Sequence, residues 1–175
     1  MKKTLAALVT AVLALTLSSC GSNDDAKASK AISDQVMASQ KSSSGSSQLL
    51  KLKQKEADCV GDGLVDKIGT DQLQEYKILT KELKPNKDVT GVTMSKDDAK
   101  AATDVFFDCT DVPAMMQDAL NSAGQVPDEM KDCVNKQLNE ENLRQLFEQV
   151  FNGKAEQAQQ DLIKKVSTCA TGSAG

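Results

Sequence analysis

Apolar residues recur at helical spacing over most of the chain between about residues 53 and 170. The pattern is clearest near residue 147, where five apolar side chains fall on one helical face: Leu143, Leu146, Phe147, Val150 and Phe151. Similar stripes cover residues 54–68, 99–109, 116–120, 130–138 and 158–166. No segment shows the sustained alternation of a strand. The pattern therefore predicts an all-α fold.

Polar residues and prolines predict where these helices begin. Ser95 with Asp98 resembles a capping box, and Asn139 suits the cap of the helix that follows it. Thr70 is expected to cap a short helix containing Leu73, Tyr76 and Leu79. Pro113 and Pro127 fit first helical turns, and Gly69 and Asn152-Gly153 suit helix ends.

Two glycines interrupt the first of these predicted helices. Gly61 and Gly63 lie inside residues 54–68, and each costs a helix up to ~1 kcal/mol relative to alanine. Two interpretations remain open, namely the close approach of another helix and a poorly formed helix.

The first residues have the layout of a secretory signal peptide. Lys2 and Lys3 precede an almost wholly apolar run from residue 4 to residue 17. As a helix, that run would reach only ~21 Å at about 1.5 Å per residue. A bilayer core is ~30 Å thick. A permanent membrane span is therefore disfavoured, and export is expected.

The apolar run ends at Leu17-Ser18-Ser19-Cys20, which resembles the signal of bacterial lipoproteins. The resemblance implies cleavage before Cys20, removal of residues 1–19 and acyl chains on Cys20. The expected location is the extracytoplasmic face of the cell membrane, with the lipid anchor holding the protein there. An ordinary cleaved signal with an accidental cysteine is the alternative.

The composition of residues 20–52 indicates a lipidated N-terminus followed by a flexible tether. The segment is rich in Ser, Asp, Lys and Ala, and residues 42–47 have the composition of a linker. Ile32, Val36 and Met37 allow a short amphipathic helix, so helix and disordered spacer both remain open. The folded domain is then expected at residues 53–170, with a flexible tail at 171–175.

Four further cysteines fall on the predicted apolar stripes: Cys59, Cys109, Cys133 and Cys169. An even number of cysteines in an exported domain indicates two disulfides. A zinc site is disfavoured because no two of these cysteines stand two to four residues apart. Spacing alone leaves three pairings open.

A weak internal repeat favours one pairing. Residues 58–60, followed by Leu64, match residues 132–134, followed by Leu138. If two duplicated halves each kept one bridge, Cys59 would pair with Cys109 and Cys133 with Cys169. The Asp-Cys-Val segments and the later helices that end on cysteine also resemble small helical lipoproteins and secreted proteins of actinobacteria. That resemblance implies a cell-envelope setting and no activity.

Composition narrows the function classes. The 175 residues include no histidine, which removes Ser-His-Asp and Cys-His nucleophile arrangements and His-ligated metals. Aromatic residues make up only 3%, so the core must be largely aliphatic. The formal charge of −4 does not suit a nucleic-acid-binding surface. Without residues 1–19, 19 basic and 25 acidic side chains remain, a formal charge of −6.

Little else in the sequence points to chemistry. Three acidic pairs are expected at helix starts, where they favour the positive end of the helix dipole: Asp97-Asp98, Asp128-Glu129 and Glu140-Glu141. Met115 and Met116 could line an apolar pocket with Phe147 and Phe151, although core packing is the favoured interpretation.

These observations predict a membrane-anchored envelope lipoprotein with a non-enzymatic interaction domain. We expect no cofactor and no metal, and a partner that is an envelope protein or a wall component. The alternative is a carrier that holds a small apolar ligand or lipid between its helices.

Overall fold

The computed structural model describes residues 23–41, 51–86, 91–123 and 127–172. The predicted signal peptide, Cys20 and the serine-rich stretch 42–47 lie outside these residues. The described residues form eight helices: α1 (Asn23–Lys41), α2 (Gln54–Ile68), α3 (Thr70–Glu75), α4 (Lys96–Cys109), α5 (Val112–Ala123), α6 (Asp128–Gln137), α7 (Glu140–Phe151) and α8 (Ala155–Gly172). They contain two isolated β-bridges and no strand. The predicted all-α, disulfide-bonded bundle is confirmed.

Most predicted helix boundaries agree with the structure. The side chain of Ser95 accepts a hydrogen bond from the Asp98 backbone N–H, and Asn139 does the same for Asn142. Gly153 follows α7 in the left-handed region, at φ 77°. The predicted tail begins too early, because α8 continues to Gly172.

The helix predicted around Leu73 is shorter than expected. α3 ends at Glu75, so Leu79 lies beyond it, and Thr70 is its first residue rather than its cap. The Thr70 hydroxyl donates instead to Asp25 of α1, 2.7 Å away. The hydroxyl that the sequence assigned to the cap of α3 is thus used in a contact between α3 and α1.

The prediction of a flexible tether over residues 20–52 is wrong for Asn23–Lys41, where the helix that the sequence left open as an alternative is present. These residues form α1, which packs along α2 and buries Ala28, Ile32 and Ser33. The buried face consists largely of small side chains, so it lacks the large apolar residues that mark a packed helix in a sequence. The folded domain therefore includes α1.

Both glycines of α2 mark close approaches, as one interpretation of the sequence predicted. A Cβ atom at Gly61 would lie 2.4 Å from the backbone oxygen of Ser29 in α1. A Cβ atom at Gly63 would lie 2.7 Å from a methyl group of Val105 in α4. Glycine at these positions lets α1 and α4 pack directly against the α2 backbone.

The buried side chains form two clusters, one mainly from α1–α4 and one mainly from α5–α8. Each half contains one disulfide. Cys59 is bonded to Cys109, with their Cα atoms 5.6 Å apart, and Cys133 is bonded to Cys169 at 5.7 Å. This is the pairing that the internal repeat favours. Cys59 is exposed, however, so it does not lie on the buried face of α2, although the sequence placed it on an apolar stripe.

All four phenylalanines of the chain lie where the two halves meet. Phe147 of α7 has its ring centroid 6.0 Å from Phe106, 5.6 Å from Phe107 and 6.1 Å from Phe151. Arg144 covers the outer face of Phe107 and forms ion pairs with Asp104 of α4 and Glu140 of its own helix. The few aromatic rings of the chain are therefore concentrated at the α4–α7 contact.

None of the helices in the described part of the chain has both the length and the apolar character needed to span a bilayer.

Candidate functional site

An apolar groove lies beside this aromatic cluster. It has a volume of about 310 Å³ and runs between α1, α2, the described residues of the stretches 78–86 and 92–94, and the ends of α4 and α7. Its described lining is mostly apolar: Ala31, Ile32, Gln35, Val36, Leu64, Ile78, Leu79, Pro85, Asn86, Val92, Met94, Phe106 and Phe151. This volume falls at the lower end of the ~300–1,000 Å³ range of ligand sites.

One wall of the groove comes from helical periodicity. Ala31, Ile32 and Val36 lie on one face of α1 because residues four apart in a helix are neighbours. Leu64 of α2 extends the same apolar surface. This wall depends on the docking of α1, the helix that the sequence assigned to a tether.

The opposite wall is built from irregular chain. Leu79 and Pro85 form an isolated bridge, and the Asn86 backbone N–H donates to the Ile78 carbonyl at 3.1 Å. Between them Leu83 adopts a left-handed backbone conformation, at φ 56°. A non-glycine residue in that region is uncommon and persists only where its surroundings hold it in place.

Hydrogen bonds tie the end of this wall to α7. The Met94 backbone N–H donates to the Phe151 carbonyl at 2.8 Å, and the Asn152 side-chain amide donates to the Met94 carbonyl at 2.9 Å. Tyr76 adds a tie to the start of α4, since its hydroxyl donates to Asp98 and accepts from the Ser95 N–H. The groove therefore has hydrogen-bonded backbone behind its second wall.

Polar contacts hold α1 in place. The Ser33 hydroxyl donates to Asp58 of α2 at 2.6 Å, and the Gln54 amide donates to the same carboxylate at 2.8 Å. These two hydrogen bonds, Ser33 first, hold the pKa of Asp58 below its usual range. One turn away, Ser29 donates to Asp62. Since Ser33 is buried, α1 is attached to α2 by specific hydrogen bonds as well as by packing.

The polar groups at the groove are few. The side-chain amide of Asn86 donates to the Lys77 carbonyl at 2.8 Å. Gln35 is half-buried, and its carboxamide makes no hydrogen bond with any residue that the structure describes. Among the described residues, no charged side chain lines the groove.

A second, more open depression lies at the start of α1. Asp24, Asp25 and Asp71 contribute to its lining together with Lys81. Its volume is about 550 Å³ and its surface is mainly polar. Within the described ranges no group of three or more acidic or cysteine side chains is placed to hold a metal ion. The apolar groove is therefore the better candidate for a site.

The structure separates the side chains that the sequence grouped into one pocket. Phe151 lines the groove, whereas Met116 and Phe147 pack in the second core cluster and Met115 packs against the first. The three acidic pairs occupy first helical turns, as predicted. Lys131 also pairs with Asp128 and holds the pKa of that carboxyl below its usual range.

Sequence reasoning missed most of the second wall. Val92 and Met94 lie in a stretch that has no helical periodicity, and Ile78 lies in the helix predicted around Leu73, which the structure ends at Glu75. For Val92 and Met94 the available signal was compositional, because apolar residues in a loop require a place to be buried.

Comparison of the chain with protein-family models, with curated proteins and with solved structures gives no match.

Proposed function

We propose that this chain is a membrane-anchored, non-enzymatic envelope lipoprotein whose helical domain binds an apolar ligand. The apolar groove is the observation that carries the proposal, because it combines sufficient volume with an almost wholly apolar lining. The backbone hydrogen bonds around Met94 and Asn86 support a groove formed in advance of binding. A site formed in advance lowers the entropic cost of holding a ligand.

The proposed anchor supports a lipid-like ligand. Asn23, the first residue of α1, is three residues after Cys20, so their Cα atoms lie at most about 11 Å apart, given an extended rise of ~3.6 Å per residue. Acyl chains on Cys20 would therefore hold the domain close to the bilayer surface. Lipids in that bilayer are the nearest abundant source of apolar ligands.

The chemistry of the described lining supports binding rather than catalysis. Its polar side chains are the carboxamides of Gln35 and Asn86, which do not ionise near neutral pH and so cannot act as a general acid or base. The chain also has no histidine to act as a general base. The contact with an envelope protein or wall component stays a separate prediction, to be tested by crosslinking in intact cells.

Filling the groove should weaken ligand binding. We expect Val36→Trp to weaken binding of the neutral fluorescent probe N-phenyl-1-naphthylamine at least about tenfold, because the indole would occupy space between the two walls. The measurement is a fluorescence titration of the chain from residue 20 onward, which carries Cys20→Ser and has both disulfides formed. Its melting temperature is recorded in parallel.

Ala38→Trp is the matched control, since Ala38 is exposed on the same helix and does not line the groove. This variant should bind the probe as the parent chain does. A parent chain that fails to bind the probe, or a folded Val36→Trp variant with unchanged affinity, would contradict the proposal.

Acylation of Cys20 has its own test. Metabolic labelling with palmitate should mark the protein, and Cys20→Ser should abolish the label because the thiol is the attachment point that the signal implies. The readout is labelled protein in the membrane fraction. An unlabelled parent chain would refute the lipid anchor while leaving ligand binding by the groove open to its separate test.

A further inference from the structure

We infer that the ligand of the groove is a single acyl chain with an uncharged polar head, and that Gln35 binds this head through its carboxamide. The inference rests on the proposed function and adds the chemical class of the ligand. Three features carry it: the carboxamide of Gln35, which has no partner among the described residues, the charge of the surroundings and the size of the groove.

Gln35 presents both a donor and an acceptor within an otherwise apolar surface. It lies between Ala31, Ile32 and Val36 in the groove wall, and its carboxamide has no hydrogen-bond partner among the described residues. A carboxamide offers two N–H donors and a carbonyl acceptor. It can therefore bond the hydroxyl or ester carbonyl of a neutral head at the same time as the apolar wall contacts the chain.

Charge disfavours an ionic head. Within the described lining no lysine, arginine, aspartate or glutamate is present to pair with a charged group. Moving an ion from water into such a site without a counter-ion costs several kcal/mol or more. The chain without residues 1–19 also has a formal charge of −6, which repels anionic amphiphiles in particular. An uncharged alcohol or ester avoids both costs.

The size of the groove suits one chain. Its volume of about 310 Å³ lies at the lower end of the range for ligand sites, where a bulky lipid with several acyl chains would leave most of its apolar surface in water. A monoacylglycerol has the required combination of one acyl chain and an uncharged head with hydroxyl and ester groups.

Three probes with the same chain length separate the head-group classes: monolauroylglycerol, laurate and dodecylammonium. They are titrated calorimetrically, below their aggregation concentrations, into the exported chain carrying Cys20→Ser. We expect monolauroylglycerol to bind at least about tenfold more tightly than either ion. Equal or tighter binding of an ionic probe would overturn the inference but leave an apolar groove as the binding site. If none of the three binds, both the inference and the proposed function fail.

A substitution tests the role of Gln35. Gln35→Leu keeps the side-chain size and should weaken monolauroylglycerol binding about five- to tenfold, the effect of losing one or two hydrogen bonds. Because Gln35 also lines the groove, binding of N-phenyl-1-naphthylamine serves as the comparison, and its affinity should change by a smaller factor than that for monolauroylglycerol.

Gln117→Leu is the control, because Gln117 is a half-buried glutamine on α5 that does not line the groove. It should leave the affinity for both probes as in the parent chain. If Gln35→Leu leaves the affinity for monolauroylglycerol unchanged, Gln35 does not bind the head. If it weakens both probes equally, the side chain shapes the groove and the assignment of Gln35 is wrong.

Discussion

Replacing Cys133 and Cys169 together by serine is expected to lower the free energy of unfolding by about 4 kcal/mol. The two residues are separated by 36 positions, and the chain-entropy model gives a value of that order for a loop of this length. Such a loss is a large fraction of the ~5–15 kcal/mol that stabilises an ordinary domain. Urea denaturation of the parent and the double variant measures the difference directly.

The loss should be concentrated in the second half of the molecule. Its buried cluster has seven residues, against twelve in the first half, so fewer apolar contacts remain when the bridge is gone. Hydrogen exchange should show faster exchange in α6 and α8, whereas α1 and α2 keep their protection. Uniform loss of protection over both halves would contradict this separation.

The double variant of Cys59 and Cys109 is the matched comparison. Its separation of 50 residues also predicts a loss of about 4 kcal/mol. In that half, however, α2 also packs against α1 through Ser33 and Asp58, so residual structure should persist. A loss below about 1 kcal/mol for either double variant would contradict the chain-entropy model, because removal of that bridge would then add little conformational entropy to the unfolded chain.

Much of the bundle could be predicted because its signals are local. The stripe of α7 and the caps Ser95 and Asn139 act over one or two helical turns, and the structure agrees with them except at Val150, which is exposed. The favoured disulfide pairing also follows from a repeat of short segments around Cys59 and Cys133. For the helices and their caps, the physical determinant lies within a few residues of its effect.

The docking of α1 could not be read in the same way, because its determinants are divided between two helices. In sequence, the small and polar side chains of α1 are typical of a tether: Ala28, Ser29 and Ser33. They are buried in the structure because Gly61 has no side chain and lets α1 approach the α2 backbone. Asp58 then supplies the acceptor for Ser33. The sequence left a close approach at Gly61 as one of two interpretations and did not identify the approaching helix.

The groove was still harder to predict, because most of its second wall has no periodicity. Leu79 and Pro85 are joined by a turn, and Met94 is positioned by bonds to Phe151 and Asn152 more than fifty residues away. These contacts depend on how the two halves meet. Only Phe151, whose helical stripe was clear, appeared among the residues that the sequence proposed for an apolar pocket.

Truncation of Phe147 tests how the two halves are joined and what that contact does for the groove. Phe147→Ala is expected to lower the free energy of unfolding by about 3 kcal/mol, the low end of the range for phenylalanine, because the side chain is half-buried. The lost contacts include the rings of Phe106, Phe107 and Phe151. Chemical denaturation measures the stability change.

The same variant should weaken ligand binding, although Phe147 does not line the groove. It supports Phe106 and Phe151, which do, so removing it lets both rings move away from the apolar surface. We expect several-fold weaker binding of N-phenyl-1-naphthylamine under conditions where the variant remains folded.

Val150→Ala is the control on the same helix. Val150 is 45% exposed, so its truncation should change the free energy of unfolding by no more than about 0.5 kcal/mol and leave probe binding unaltered. If Phe147→Ala lost stability but kept full affinity, the aromatic cluster would join the halves without shaping the groove. If neither quantity changed, the α4–α7 contact would not be the junction that the ring distances indicate.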